Sequence, residues 1–381
     1  MPLNWMHKKH VGPIGLDIGS EGIRMLQLCS MPDRLQVLAA ARHHFAPNAL
    51  AALDAAGRRQ MLSDAIGRML AQKHFKGRSV VSCLRTDELC IKNIRLQHLE
   101  EPALSQAALW ECKERFSFPV TADRLHVINA GEVRQGAEVR DEILLISASE
   151  TAVNDHVAML AQVKLSPEAI DVEPNALFRA YQRFLRRAED SGAVSVIIDV
   201  GLSSTKVIIS RGKTILLVKG IDVAGQKFNE TVAKGLNLSY ADAVHLRRRG
   251  FEDKPGTGPA PDQIQWSVFD AIRSQVEVLA HEISLCLRYC SVTFRGLRPG
   301  QITLTGGEAH DPSLVKLLSE QLNCPCVVGE PLRNVELGDA DMDSDRRSVL
   351  TEWSVATGLA LRGLPMPAGR RVEHERHRLS A

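Results

Sequence analysis

The stretch Val11-Gly12-Pro13-Ile14-Gly15-Leu16-Asp17-Ile18-Gly19-Ser20 decides how the rest of the chain is read. An apolar run ends on Asp17, a glycine stands two residues on, and a second strand-like run follows from Ile23 to Leu28. The unit recurs in the second half. The run Val194 to Ile198 ends on Asp199-Val200-Gly201-Leu202-Ser203-Ser204-Thr205, and Lys206 to Ile209 is the return strand. Glycine at such a turn, Gly19 or Gly201, lets backbone approach a ligand closely. Backbone N–H groups and the hydroxyls of Ser20, Ser203, Ser204 and Thr205 make an anion nest. Asp17 and Asp199 at the strand ends are carboxylates of the kind that hold hydrated Mg²⁺ beside phosphate oxygens. Two such turns facing each other would clasp a triphosphate. One Asp-x-Gly is an ordinary turn; two in matching strand contexts are a signal.

At 381 residues the chain is too long for one small domain. Hydrophobic residues make up 44% and charged residues 24%, an ordinary globular balance. A net charge of +2 argues against a protein built to coat nucleic acid. No apolar run reaches the roughly 18 residues that span a bilayer, and Met1 to His10 lacks a signal-peptide core. The expected location is the cytoplasm. Cys29, Cys83, Cys90, Cys112, Cys286, Cys290, Cys324 and Cys326 form no Cys-x-x-Cys and have no His or Cys cluster beside them. They read as reduced core thiols. No Ser/His/Asp set, His-Glu-x-x-His or P-loop is present.

The first segment reads β-β-β-α: strands at Pro13–Asp17, Gly22–Leu28 and Leu35–Arg42, then a helix carrying Met61, Leu62, Ile66, Met69 and Leu70 on one stripe. Ser79–Leu84 reads as a buried strand. The pattern then changes to an α+β unit: strand Cys90–Leu96, helix Pro102–Phe116, strands Leu125–Ala130 and Glu142–Ser147, helix Thr151–Val163. Strand Ala169–Val172 and helix Asn175–Arg187 lead to a polar break. The second half repeats the opening with Val194–Val200, Thr205–Ser210 and Thr214–Val223, then a helix from Gly225. Ser239-Tyr240-Ala241-Asp242 reads as a capping box. A Pro/Gly-rich loop, Glu252–Asp262, precedes a long helical region, Ile264–Phe294. Gln301–Thr305 is a strand ending in Gly306-Gly307, and Asp311-Pro312 opens a helix. A helix Ser348–Leu361 and a polar, basic tail close the chain. The run Arg247-Arg248-Arg249 points three ways around a helix and reads as a solvated face.

This order, carried by Gly15–Ser20, Ile198–Gly201 with Thr205, Thr305-Gly306-Gly307 and Ala356-Thr357-Gly358-Leu359-Ala360-Leu361-Arg362-Gly363, resembles the actin-like ATPase superfamily. Within it the chain is similar to the type IV pilus assembly family PilM and its cell-division relative FtsA. Phe116-Ser117-Phe118-Pro119 resembles the PilM insert. The resemblance implies an α/β, two-lobed actin-like (ribonuclease-H-like) fold with an α+β insert. It implies a first lobe of 11–192 with 346–365, containing the insert 88–168. The second lobe would be 193–345 with a helical part 229–299, and 366–381 a disordered tail.

By the same resemblance, ATP and Mg²⁺ would sit between the lobes, with Asp17 and Asp199 at the metal. Gly225, Arg247, Gly306 and Gly307 would stand at the nucleoside. The sequence departs from the family pattern there. Ala224-Gly225 replaces Gly-Gly and Asn229 replaces a threonine. Val244 and Arg247 take the places of a glutamate and a lysine, and Glu308 replaces a small residue. These changes imply weakened nucleotide binding and at most a weak ATPase. The implied role is a scaffold of a type IV pilus or type II secretion-like platform. Its implied partners are the N-terminal peptide of a PilN-like bitopic inner-membrane protein and other platform proteins. An FtsA-like filament protein and a sugar-kinase-type phosphotransferase remain the alternatives.

Overall fold

A computed structural model describes residues 9–46, 49–50, 52–136, 138–251, 263–342 and 349–366. The Glu252–Asp262 loop, the start of the chain to residue 8, residue 348 and the tail from 367 lie outside the described residues. The opening unit is an antiparallel meander, β1 (His10–Ile18), β2 (Gly22–Ser30) and β3 (Leu35–His44). Helix α1 (Ala55–Gln72) starts on Asp54, whose side chain accepts the Gly57 N–H, and leads to β4 (Ser79–Leu84), parallel to β1.

The following segment makes its own three-stranded sheet. Strand β5 (Leu89–Leu96), helix α2 (Ala103–Arg115) and the hairpin β6 (Leu125–Gln135) and β7 (Glu138–Ala148) give the order β5-β7-β6. The hairpin is longer than the strands read from sequence because β6 passes through Gly131 with a register shift rather than stopping before it. Strand alternation gives β7 two apolar faces. Ile143 and Leu145 pack under α2 with Leu104, Ala108 and Cys112, while Leu144 and Ile146 face the rest of the molecule.

Helix α3 (Glu150–Gln162), capped by Ser149, returns the chain to β8 (Ser166–Val172) and α4 (Glu173–Gln182), where Pro174 sits in the first turn. Proline suits that position because its missing N–H has no intrahelical partner anyway.

The second meander is β9 (Val194–Val200), β10 (Thr205–Arg211) and β11 (Thr214–Ile221). Helices α5 (Gly225–Gly235), α6 (Tyr240–Phe251) and α7 (Gln263–Thr293) follow. Ser239 caps α6 by accepting the Asp242 N–H at 3.1 Å, as the capping-box reading expects. Strand β12 (Ile302–Thr305), helix α8 (Pro312–Leu322) with Asp311 as its cap, short strands β13 (Cys326–Val328) and β14 (Val335–Glu336), and helix α9 (Ser354–Ala360) complete the chain. The closing helix is shorter than its sequence pattern because a 3₁₀ turn, Thr351–Trp353, precedes it.

The two larger sheets share one topology. The first runs β14-β3-β2-β1-β4-β8 and the second β11-β10-β9-β12-β13. In each, the meander's first strand is central and parallel strands extend from it, so Asp17 and Asp199 end equivalent strands. On the first sheet, α1 and α3 cover one face and α4 and α9 the other. The α4–α9 contact is close: a Cβ on Gly358 would stand 1.7 Å from the Ala176 carbonyl oxygen. A shared apolar cluster joins the lobes, with Val81, Ala176, Ile197, Ile208, Leu144 and Leu359 in contact. Ala130 and Val133 of β6 pack into the second lobe's own core beside α7.

Candidate functional site

Asp17 ends β1 and Asp199 ends β9, both buried. Each has a cation opposite it on the neighbouring antiparallel strand. Arg24 is in register with Asp17, its Nη1 3.9 Å from Oδ2. Lys206 is in register with Asp199, its Nζ 3.2 Å from Oδ2. The same Nζ lies 3.0 Å from Oε1 of Glu173, the first residue of α4. The other Glu173 oxygen accepts the Thr86 N–H at 2.8 Å and the Thr86 hydroxyl at 2.7 Å. Three carboxylates and two cations thus share the space between the sheets.

Their charges are unevenly balanced. Burial pushes Asp17 up to about 7; Arg24 and Lys206 resist, and Glu173 and Asp199 add to the rise. Burial also raises Asp199, although Lys206 offsets part of it. Burial would raise Glu173 as well, but Lys206 and the two Thr86 donors outweigh it, so Glu173 lies below its usual range. For Lys206, burial would favour the neutral amine, and the two carboxylates overcome that and hold it charged. Among the described residues no group of three or more His, Cys, Asp or Glu could hold a metal alone. An all-oxygen pair of carboxylates suits Mg²⁺, which binds through one or two carboxylates plus phosphate and water oxygens.

The two turns are stitched from within. The Gly19 N–H donates to the Gly22 carbonyl at 2.9 Å and the Gly201 N–H to Ser204 at 3.2 Å. The first N–H groups of α5, from Gly225 and Gln226, donate to Gly201 and Leu202, fixing that helix start on the second turn. The Thr205 hydroxyl is fully buried and donates to the Val223 carbonyl at 2.6 Å, so it serves the fold rather than the cleft. Gly306 has φ +89°, and a Cβ there would meet the Val200 carbonyl at 2.5 Å and Asp199 Oδ1 at 2.7 Å. Gly306 and Gly307 therefore carry the end of β12 onto the end of β9.

The run Arg247-Arg248-Arg249 is not uniformly solvated. Arg247 is 3% exposed. Its Nη2 donates to Glu308 Oε2 at 2.5 Å and to Asp311 Oδ2 at 3.4 Å. Its Nη1 donates to Asn229 Oδ1 at 2.7 Å and to the Gly225 carbonyl at 3.4 Å. Burial would favour the neutral form of Arg247, and Glu308 and Asp311 reverse that. Arg248 reaches the other way and pairs with Glu21, beside the first turn.

Two cavities meet at the turns. One of about 640 Å³ is lined by Ser20, Leu202 and Ser203 together with Arg58, Arg59, Leu62, Arg85, Ala152 and His156. The other, about 70 Å³, is lined by Ser20, Leu202, Tyr240, Val244, Arg247 and Glu308. His156 Nε2 lies 2.7 Å from the Ser82 hydroxyl, and burial pushes its pKa down to about 4, so its imidazole is neutral there.

The structure brings Asp17, Gly19, Ser20, Asp199, Gly201, Ser203, Ser204, Gly306 and Gly307 to one region and turns Thr205, Gly225 and Arg247 toward internal partners. Sequence reasoning missed Glu173, Lys206 and Thr86. A lysine inside the apolar run Lys206–Ile209 and an acid before Pro174 were the available signals.

The family described as type IV pilus assembly protein PilM matches residues 15–364. Among solved structures, a chain of a PilM-PilN type IV pilus biogenesis complex is similar with a TM-score of 0.74 and 23% identity, over 93% of this chain and 99% of that one. The ethanolamine utilization protein EutJ from Carboxydothermus hydrogenoformans is similar with a TM-score of 0.50 and 11% identity, over 93% and 90%. The fold is actin-like, with the α+β insert. Among the described residues no helix is long and apolar enough to cross a membrane.

Proposed function

The chain belongs to the family of the type IV pilus assembly protein PilM, and from that premise we propose that it is a cytoplasmic scaffold of a type IV pilus or type II secretion-like platform. In this reading the N-terminal peptide of a PilN-like bitopic protein recruits it to the inner membrane. The observation that carries the reading is the likeness, along nearly the whole chain, to a protein solved in a PilM-PilN complex. The peptide is assigned to the cavity of about 640 Å³, which lies at the edge of the insert's sheet, lined by Arg85 and Glu88 just before β5 and by Ser149 and Thr151 just after β7. Ile18, Leu62 and Met159 offer it apolar wall, and Arg58 and Arg59 stand at the first turns of α1. Pockets for side chains along a groove are a common mode of peptide recognition.

The phosphates of Mg·ATP are assigned to the two turns, with Asp17 and Asp199 toward the ion. A bound magnesium ion would supply the positive charge that offsets the repulsion between the phosphates and these carboxylates. Hydrolysis is slow or absent in this reading, because Asn229, Val244, Arg247 and Glu308 depart from the family pattern around the nucleotide. Co-purification from native membranes tests the scaffold role. A bitopic pilus-type partner supports it. A tubulin-like partner would instead indicate an FtsA-like filament protein, and phosphoryl transfer to a sugar a kinase.

A further inference from the structure

We propose that the second-lobe half of the cleft is occupied by the chain's own Arg247–Glu308 pair, so that the turns select a magnesium-bound polyphosphate with no contribution from a base. This rests on the reading that the turns bind phosphate. Glu308 follows Gly306-Gly307 and lays its carboxylate directly against Gly225. A Cβ on Gly225 would stand 2.2 Å from Oε1 and 2.6 Å from the carboxyl carbon. The missing side chain at 225 is thus filled from within, by Glu308. Arg247 closes over that carboxylate from α6 and also donates to Asn229, Asp311 and the Gly225 carbonyl.

What is left beside the pair is about 70 Å³. A pocket for a ligand the size of a nucleoside needs roughly 300 Å³ or more. Ser20 and Leu202 line both this remnant and the larger cavity, so the turns stand at the junction of a filled half and an open half. The Arg248–Glu21 pair joins the two lobes at the rim of the filled half. A base and ribose reaching from the turns toward α6 would have to expel a buried ion pair. Expelling it takes the guanidinium away from Asp311 Oδ2 and Asn229 Oδ1, a cost that a phosphate lying on the turns does not incur.

Calorimetric titration of the full chain with Mg·tripolyphosphate, Mg·ATP and Mg·GTP tests this. The three dissociation constants are expected to agree within about threefold. In Arg247→Leu/Glu308→Ala, Mg·ATP is expected to bind at least about tenfold tighter, with Mg·tripolyphosphate changed less than about twofold. Glu308→Gly, which leaves Arg247 its Asp311 partner, carries the same expectation should the double variant fail to fold. Glu308→Gln, which keeps the volume, should match the parent. A parent that prefers Mg·ATP over Mg·tripolyphosphate by more than about tenfold overturns the proposal, as does a folded opened variant with no gain for Mg·ATP. If the parent binds none of the three probes, the phosphate role of the turns fails. The opened variants then decide alone: new Mg·ATP binding supports the pair as occupant, and none overturns it.

Discussion

Glu173, at the head of a first-lobe helix, and Lys206, on a second-lobe strand, form a buried ion pair 3.0 Å long that ties the two lobes at the base of the cleft. Lys206 is the cation that Glu173 and Asp199 share, so its removal strands two buried carboxylates at once.

Lys206→Met is therefore expected to destabilise the protein by about 3–5 kcal/mol, the range for breaking a buried pair from one side. Urea unfolding at pH 7.5 measures it. Adding Glu173→Gln should recover part of the loss, because the neutral amide no longer needs the ammonium. A loss under about 1 kcal/mol would mean that the carboxylates are solvated rather than buried.

Asp17 makes stability fall as pH rises. Its carboxyl has a folded-state pKa of about 7 against 3.8 as the ordinary value. The unfolded chain therefore releases this proton first, and the folded state binds more protons throughout that interval. Its contribution is complete below pH 3.8 and lost as pH rises through about 7. Asp17→Asn should flatten that part of the profile. At pH 8 it should stabilise the ligand-free protein by up to about 4 kcal/mol. A stability–pH curve unchanged by the substitution would show that Asp17 ionises freely in the fold.

Mg·ATP and Mg·tripolyphosphate should both raise the melting temperature, and Asp17→Ala or Asp199→Ala should remove the rise. At a hundredfold excess over Kd the ligand adds about 2.7 kcal/mol. The metal must displace the Asp17 proton, so the rise should be larger at pH 8 than at pH 6. Equal shifts at both values would place the ion away from Asp17.

Ala152 is partly buried in the wall of the larger cavity, near the N-terminus of α3. Ala152→Trp should fill that cavity and abolish recovery of the bitopic partner from membranes, with the Mg·tripolyphosphate melting shift retained. Undiminished partner recovery would move the peptide site elsewhere.

The repeated strand–Asp-x-Gly–strand unit was legible because both copies are local: apolar run, acid and glycine adjoin in sequence. The common topology of the two larger sheets follows from it; the cap at Asp311 and the long helix α7 were legible from their own local signals, Asp-Pro and a long helical pattern. The partners of the site were not legible, because they come from afar. Glu173 meets Lys206 only once two sheets are stacked, and Arg247 meets Glu308 only once α6 lies over the end of β12. Read singly, Arg247 belonged to a solvated run and Glu308 was an acid out of place; together they neutralise each other. Strands β13 and β14 escaped notice for another reason. Two or three residues cannot display an alternation, and both are defined by the neighbour they pair with.

The insert is attached to the first lobe by chain but packs on both lobes. It is spliced between β4 and β8, yet Ala130 and Val133 lie in the second lobe's apolar core, and Tyr289 of α7 donates to the buried Glu142 of β7. In mechanical terms it is a strut spanning a two-arm hinge. The arms cannot swing apart as independent rigid bodies: either the strut slides on its seat or its two tethers bend. A force applied to the insert is therefore transmitted to the cleft, and a change of angle at the cleft displaces the insert.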